Sequence, residues 1–179
     1  MKNFKKLIFT TGDGSTTIFL PDFNEYYHSK NGAISESEHV FIKNGLRFWK
    51  QKNPNKKYCN IFEVGFGTGL NALLTFKESK FIPNLNLTYS SVEPNPLKFS
   101  EIEKLNYGVK MNDNDGIFSF IHRSEWNSPI QISKNFTLIK NNSFIQNFNI
   151  EINPDIIYFD PFCYRVQPEM WSKKIIYPI

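Results

Sequence analysis

At 179 residues the chain has the length of a single domain, and with 40% hydrophobic and 16% aromatic residues it is too apolar for a disordered segment. A net charge of +4, with basic pairs no longer than Lys5-Lys6 and Lys56-Lys57, admits an RNA partner without pointing to one. Two cysteines make no disulfide framework, three histidines follow no ligand spacing, and no apolar run suits a signal peptide or a membrane span, so a cytoplasmic protein without a metal is predicted.

In chain order, Leu7 to Thr11 and Ser15 to Leu20 flank Gly12-Asp13-Gly14 and predict a β-hairpin that Pro21 ends. The polar and aromatic stretch 22–31 reads as a loop. Ser35 and Glu38 form an S-x-x-E capping box ahead of a helix whose inward face is Val40, Phe41, Gly45, Phe48 and Trp49. Asn53-Pro54-Asn55 closes that helix, so residues 1–52 read as the hairpin, loop and capping helix of the same domain whose core is 53–179. Tyr58 to Val64 is the first core strand, with Cys59 as a small buried residue. A glycine turn and a helix follow, then a second strand from Leu85 to Val92. Asn95 and Pro96 predict the start of a helix with Leu97, Ile102 and Leu105 inward and Gly108 as its stop. Residues 111–115 read as a polar loop, 117–121 as a short buried helix or strand, and the stretch around Trp126 and Pro129 as irregular. Asn135 to Lys140 and Pro154 to Asp160 are strands three and four, the fourth apolar enough to be buried on both faces. A further helix starts at Gln167-Pro168.

The run Glu63-Val64-Gly65-Phe66-Gly67-Thr68-Gly69-Leu70-Asn71 carries the chemistry. Glycines at alternate positions let a ligand approach the backbone, and the helix that follows offers free N–H groups. A dinucleotide fingerprint wants G-x-G-x-x-G, but here the third glycine comes one residue early and Leu70 stands in its place. E-x-G-x-G-x-G is instead the usual shape of an S-adenosylmethionine loop, in which Glu63 faces the cationic methionine end. Glu93, at the tip of strand two, is placed for the two ribose hydroxyls, its plainer reading being a solvated loop carboxylate. Asp160 ends strand four at the carboxyl edge of the sheet, where doubly wound folds keep their chemistry.

Several separated stretches, in order, resemble the tRNA wobble-uridine methyltransferases of the MnmC/MnmD type. They are Tyr27-His28-Ser29 through Gly32-Ala33 to Glu36-Ser37-Glu38-His39-Val40-Phe41-Ile42, the glycine loop down to Leu70-Asn71, Glu93-Pro94-Asn95-Pro96-Leu97, and Asp160-Pro161-Phe162 with Gln167-Pro168-Glu169-Met170-Trp171. The resemblance implies an α/β, Rossmann-like methyltransferase fold, a mostly parallel sheet with helices on both faces behind an N-terminal β-hairpin. It implies methyl transfer from S-adenosylmethionine to the aminomethyl group of 5-aminomethyl-2-thiouridine in tRNA. Gly65, Phe66, Gly67, Thr68, Gly69 and Asn71, with Glu63, Glu93 and Asn142, would hold the cofactor. Asp160 would hold the amine, its alternatives being a helix cap or a carboxylate touching the cofactor. Phe162 would flank the base, and Tyr27, Ser29 and Glu36 would close over it or simply complete the fold.

The chain departs from the pattern twice. Where the family has Gly-Asp after strand three, this chain has Asn141-Asn142, which hydrogen-bonds but carries no charge. The family's fold continues for about three more strands beyond the Trp171 helix, and Lys173 to Ile179 does not resemble that continuation. The sequence therefore reads as shortened at its C-terminal end, with no room for the flavin-dependent oxidase half of two-domain relatives. Strand four is expected to present an unpaired edge open to self-association or to a complementing chain. An inactive remnant, or a methyltransferase with another substrate, are the alternative readings.

Overall fold

The computed structural model describes residues 4–150 and 153–177. β1 (Leu7–Thr10) and β2 (Thr16–Leu20) pair antiparallel as the hairpin pattern requires. The stretch read as loop adds a third strand, β3 (Glu25–Tyr26), paired with Phe19 and Leu20. Two features that composition hides make it: Asn24 turns the chain at φ 50°, and Tyr26 stacks on Phe19 at 4.5 Å.

The next helix also differs from its reading. α1 (Ala33–Ser37) begins after Gly32, so Ser35 lies inside it and caps nothing. The cap comes from the hairpin turn instead, where Asp13 Oδ2 accepts from the Ser35 N–H and hydroxyl, both at 2.9 Å. Asp13 Oδ1 meanwhile accepts from Thr11 Oγ1 and from the Ser15 N–H, both at 2.9 Å. The helix continues as a π-helical stretch, Glu38–Arg47, and ends as α2 (Phe48–Lys52). The wider winding moves the inward face to Ser37, Phe41, Ile42 and Leu46, leaving Val40 and Phe48 exposed against the reading made at 3.6 residues per turn.

β4 (Tyr58–Val64) sits inside a five-stranded sheet ordered β6-β7-β5-β4-β8. α3 (Leu70–Ser79) leads to β5 (Asn86–Val92), parallel to β4. The single helix predicted after Asn95 is two short ones, α4 (Phe99–Ile102) and α5 (Tyr107–Lys110), with Gly108 inside the second. Asn95 does not cap, and the start is closed by Glu101 Oε2 accepting from the Lys98 N–H at 2.8 Å. Asn106 breaks the run because its side chain is used elsewhere, donating to the Gly14 carbonyl and accepting from the Thr16 N–H, both at 2.9 Å.

α6 (Ile117–Arg123) resolves the helix-or-strand ambiguity there as helix. β6 (Pro129–Ser133), read as irregular, is an antiparallel edge strand with a bulge, a place that tolerates a proline at its start. β7 (Phe136–Asn141) and β8 (Ile156–Phe159) run parallel to β5 and β4, and short 3-10 turns at Ile145–Asn147 and Pro168–Trp171 precede α7 (Lys173–Ile176).

The fold is thus α/β and Rossmann-like, with a mostly parallel sheet. Alternation sends Cys59, Ile61, Leu87, Tyr89, Phe136, Leu138 and Tyr158 to one face, where they form the main core with Ile18, Leu20, Leu46, Leu73 and Ile121. The other face carries a smaller cluster of Phe62, Val64, Val92, Ile145 and Ile175, covered by the segment after β7 and by α7. Because β8 lies at the sheet edge, Ile157 is 40% exposed, which corrects the expectation of a strand buried on both faces. No described helix is long and apolar enough to cross a membrane.

Candidate active site

β4, β5 and β8 end side by side, and a cavity of about 590 Å³ opens over their carboxyl ends. The chain leaves β4 toward β5 and β7 and returns to β8 on the other side, so the cavity stands at a topological switch point. All the residues expected at a site line it except Glu63, Gly69 and Asn142.

The glycine turn forms one wall. Gly67 sits at φ +50°, and a Cβ there would come to 3.4 Å from the Tyr27 ring. The Gly67 N–H donates to Glu93 Oε2 at 3.0 Å, and the Asn95 N–H donates to Glu93 Oε1 at 2.8 Å. Burial raises the Glu93 carboxyl above the usual range, and those two N–H groups pull it back.

Two histidines pin Thr68 from opposite sides, and histidine spacing in the sequence did not show them. His28 Nε2 shares a 2.7 Å hydrogen bond with the Thr68 hydroxyl, and His122 Nε2 donates to the Thr68 carbonyl at 3.0 Å. Burial holds both rings down to about 4, so both are neutral at pH 7. His122 also explains Gly69, where a Cβ would meet Nε2 at 2.8 Å. Lys140 anchors the same layer from below, its buried ammonium donating to the carbonyls of Ile121, His122 and Ser124 at the end of α6. Burial lowers it to about 8.

Behind the loop lies a carboxylate pair bridged by one amide. Asn71 Nδ2 donates to Glu63 Oε1 and to Asp160 Oδ2, each at 3.1 Å. Glu63 is 1% exposed and faces the core side of β4 instead of the cavity. Burial pushes its carboxyl up to about 8, only partly offset by Asn71 and the nearby Tyr89 and Ser91 hydroxyls, which form no hydrogen bond of good geometry with it. Asp160 borders the cavity, and burial first, with the Glu36 charge adding to it, raises it to about 6 against the pull of Asn71. At pH 7 Glu63 is mostly a neutral acid and Asp160 mostly an anion.

Tyr27 and Phe162 meet edge to face at 5.0 Å beside Asp160. Glu36 Oε2 accepts from the Ser29 N–H at 2.7 Å, which ties the loop after β3 to α1. Asn142 stands outside the cavity, its N–H on Asn127 Oδ1 at 2.9 Å and its amide 3.4 Å from the Glu93 carbonyl. In its stead Phe144, Ile145, Gln146 and Met170 line the far end. No spacing rule announces them, because they arrive on two 3-10 turns separated by a strand.

No protein-family model matches the chain. It is 29% identical over 175 residues to the tRNA 5-methylaminomethyl-2-thiouridine biosynthesis bifunctional protein MnmC of Leptospira interrogans, covering 93% of this chain and 27% of that protein. The MnmC of Legionella pneumophila is 40% identical over 89 residues, 46% of this chain and 13% of the relative. The crystal structure of MnmC2 from Aquifex aeolicus superposes with a TM-score of 0.74 at 26% identity, covering 96% of this chain and 54% of that one.

The chain is MnmC-like.

It spans about a quarter of the length of the Leptospira MnmC and about half of the Aquifex chain. The superposition takes in almost the whole MnmC-like chain.

Proposed function

We propose that the chain binds S-adenosylmethionine and transfers its methyl group to the aminomethyl nitrogen of 5-aminomethyl-2-thiouridine at the wobble position of tRNA. The observation that carries this reading is the joining of the glycine turn, Glu93 and Asp160 in one cavity, with Asp160 beside the Tyr27–Phe162 pair. The cavity fits the cofactor: its volume is within the range of small-molecule sites, and at Gly67 a side chain would fill the cradle. Gly65 and Gly67 would lie against the cofactor's backbone-facing edge, and Glu93 would accept from the ribose hydroxyls. The apolar end at Phe144 and Ile145 suits a planar base. When bound, the cofactor supplies an activated methyl on a sulfonium.

The chain's own residues do the rest by positioning and proton handling. The Tyr27 and Phe162 rings hold the uracil, and Asp160 pairs with the ammonium and takes its proton. Held there without its extra proton, the amine nitrogen would have a lone pair free to accept the methyl group that the cofactor would supply. Asn71 keeps one Asp160 oxygen engaged and leaves the other for the amine. A uridine lacking the amine would leave the half-buried Asp160 unpaired, which discriminates against it. A tRNA substrate in turn implies a cytoplasmic location.

Calorimetric titration with S-adenosylmethionine is the test, followed by methyl transfer to tRNA carrying aminomethyl-thiouridine. Micromolar binding is expected, and Gly67→Val should remove it by placing a branched side chain at φ +50° against Tyr27. A folded wild-type protein that binds none overturns the reading, and binding without transfer points to a remnant or to another acceptor.

A further inference from the structure

The N-terminal sheet carries an aromatic face that the cavity chemistry does not use. The strand registers set Leu7 opposite Phe19 and Phe19 opposite Tyr26, and Phe9 shares that face two residues along from Leu7. Phe19 stacks on Tyr26 at 4.5 Å, and Phe9 meets Tyr26 edge-on at 5.1 Å. Ile18 points the other way into the core, whereas Leu7 and Phe9 are 42% and 36% exposed. The Lys30 ammonium stands 5.6 Å above the Tyr26 ring.

This face runs into the cavity, because Tyr26 and Lys30 line its mouth beside Glu25 and Cys163. Arg165, in the loop that follows Asp160, donates to the Phe23 and Asn24 carbonyls and pairs with Glu25 at 3.0 Å. The pairing neutralises the acid at the rim and locks the β2–β3 turn to the Asp160 loop. Asp22, also near, is turned toward the Lys5 N–H at 3.4 Å. Among the described residues Lys30 is thus a cation in the cavity lining without an ion-pair partner, while Glu36 and Glu169 line the same cavity as acids outside any ion pair.

We infer that Leu7, Phe9, Phe19 and Tyr26, with Lys30, form a docking platform for single-stranded RNA whose next nucleotide enters the cavity; the identity of that nucleotide rests on the methyl-transfer reading. Unstacked bases present flat π faces to aromatic rings on an open sheet, and a phosphate between two such bases meets the lysine. Stacking on exposed rings holds the strand without reading its sequence, while the cavity reads the one base that matters.

The test is fluorescence anisotropy with a labelled anticodon stem-loop RNA containing a wobble uridine, alongside calorimetry with S-adenosylmethionine on the same samples. Wild type should bind the RNA with a salt-dependent affinity. Phe9→Ala should weaken it by about fivefold or more, the loss of roughly one stacked base, with S-adenosylmethionine binding unchanged. Phe9→Trp should retain affinity, and Lys30→Ala should weaken it and lower the salt slope. Unchanged RNA affinity in Phe9→Ala, or no RNA binding by wild type, overturns the platform. So does a wild-type dimer that Phe9→Ala dissociates while RNA affinity stays the same, since the face then belongs to a second copy. RNA binding that follows this pattern in a protein without S-adenosylmethionine affinity leaves the platform standing and removes the methyl-transfer reading instead.

Discussion

Asp160 and Glu63 receive hydrogen bonds from the same amide, yet they sit on opposite sides of it in kind. Asp160 borders the cavity and titrates near 6, while Glu63 lies under the sheet and titrates near 8. A base that works as its anion gains activity as pH rises through its own pKa. The rate of methyl transfer is therefore expected to show an acid limb near pH 6. Asp160→Asn should leave S-adenosylmethionine affinity intact, lower turnover by about a hundredfold or more, and erase that limb in a pH–rate profile. Equal turnover in the variant would remove Asp160 from the mechanism. The two histidines on Thr68 act on stability instead. Their folded values near 4 lie below the ordinary 6.5, so the unfolded chain takes up those protons first on acidification. Stability from the neutral rings is present above pH 6.5 and is lost as pH falls toward 4. Glu63 and Asp160, raised by burial, work in the opposite direction, being most favourable to the fold when protonated. The comparison is therefore made against a variant: the stability advantage of wild type over His28→Gln in urea unfolding should shrink between pH 6.5 and 4.

Among the elements, the helix over 33–52 shows how a sequence pattern is overruled. S-x-x-E at Ser35 and Glu38 is a sound capping signal, but Asp13 already satisfies the Ser35 N–H from a hairpin twenty-two residues away. Gly32 is part of the same arrangement, since a Cβ there would come to 2.6 Å from Asp13 Oδ2. Asp13→Ala should consequently cost about 1–2 kcal/mol, the usual worth of a helix cap, although the residue lies in a turn. Chemical denaturation would show it as a lower midpoint at unchanged slope. An effect no larger than that of an ordinary surface substitution would mean that water replaces the carboxylate at α1. The π-helical stretch was equally hidden, because hydrophobic spacing was counted at the α-helical period. Gly45 does face the core there, and a Cβ on it would come to 3.1 Å from the Tyr158 ring.

For the molecule as a whole, the sheet is covered unequally. Helices pack one face, whereas the other has the 3-10 turn at Ile145, Phe148 stacked on Phe62 at 5.9 Å, and α7. β8 ends the sheet order, and among the described residues no strand pairs with its outer edge. An edge with a 40% exposed isoleucine invites pairing between copies. Sedimentation at rising protein concentration is expected to show reversible association of this chain, suppressed by Ile157→Lys. A monomer at every concentration would show that the edge is protected.

Local signals determined the strands β4, β5, β7 and β8, the glycine turn and the acids at or just past the carboxyl ends of β4, β5 and β8, because each depends on neighbours within a few residues. The family resemblance, and not those signals alone, singled out Tyr27, Phe66, Gly67, Thr68, Asn71, Glu93, Asp160 and Phe162, and all of them line one cavity. Tertiary structure decided what pairing across long sequence distances controls. It placed His28 and His122 on either side of Thr68, turned Glu63 away from the cavity, and spent Asn106 on the hairpin instead of a helix. It moved Asn142 off the wall and brought Phe144 and Met170 onto it. A side chain's partner is chosen by whatever the fold carries to within 3 Å, and local spacing holds no record of that choice.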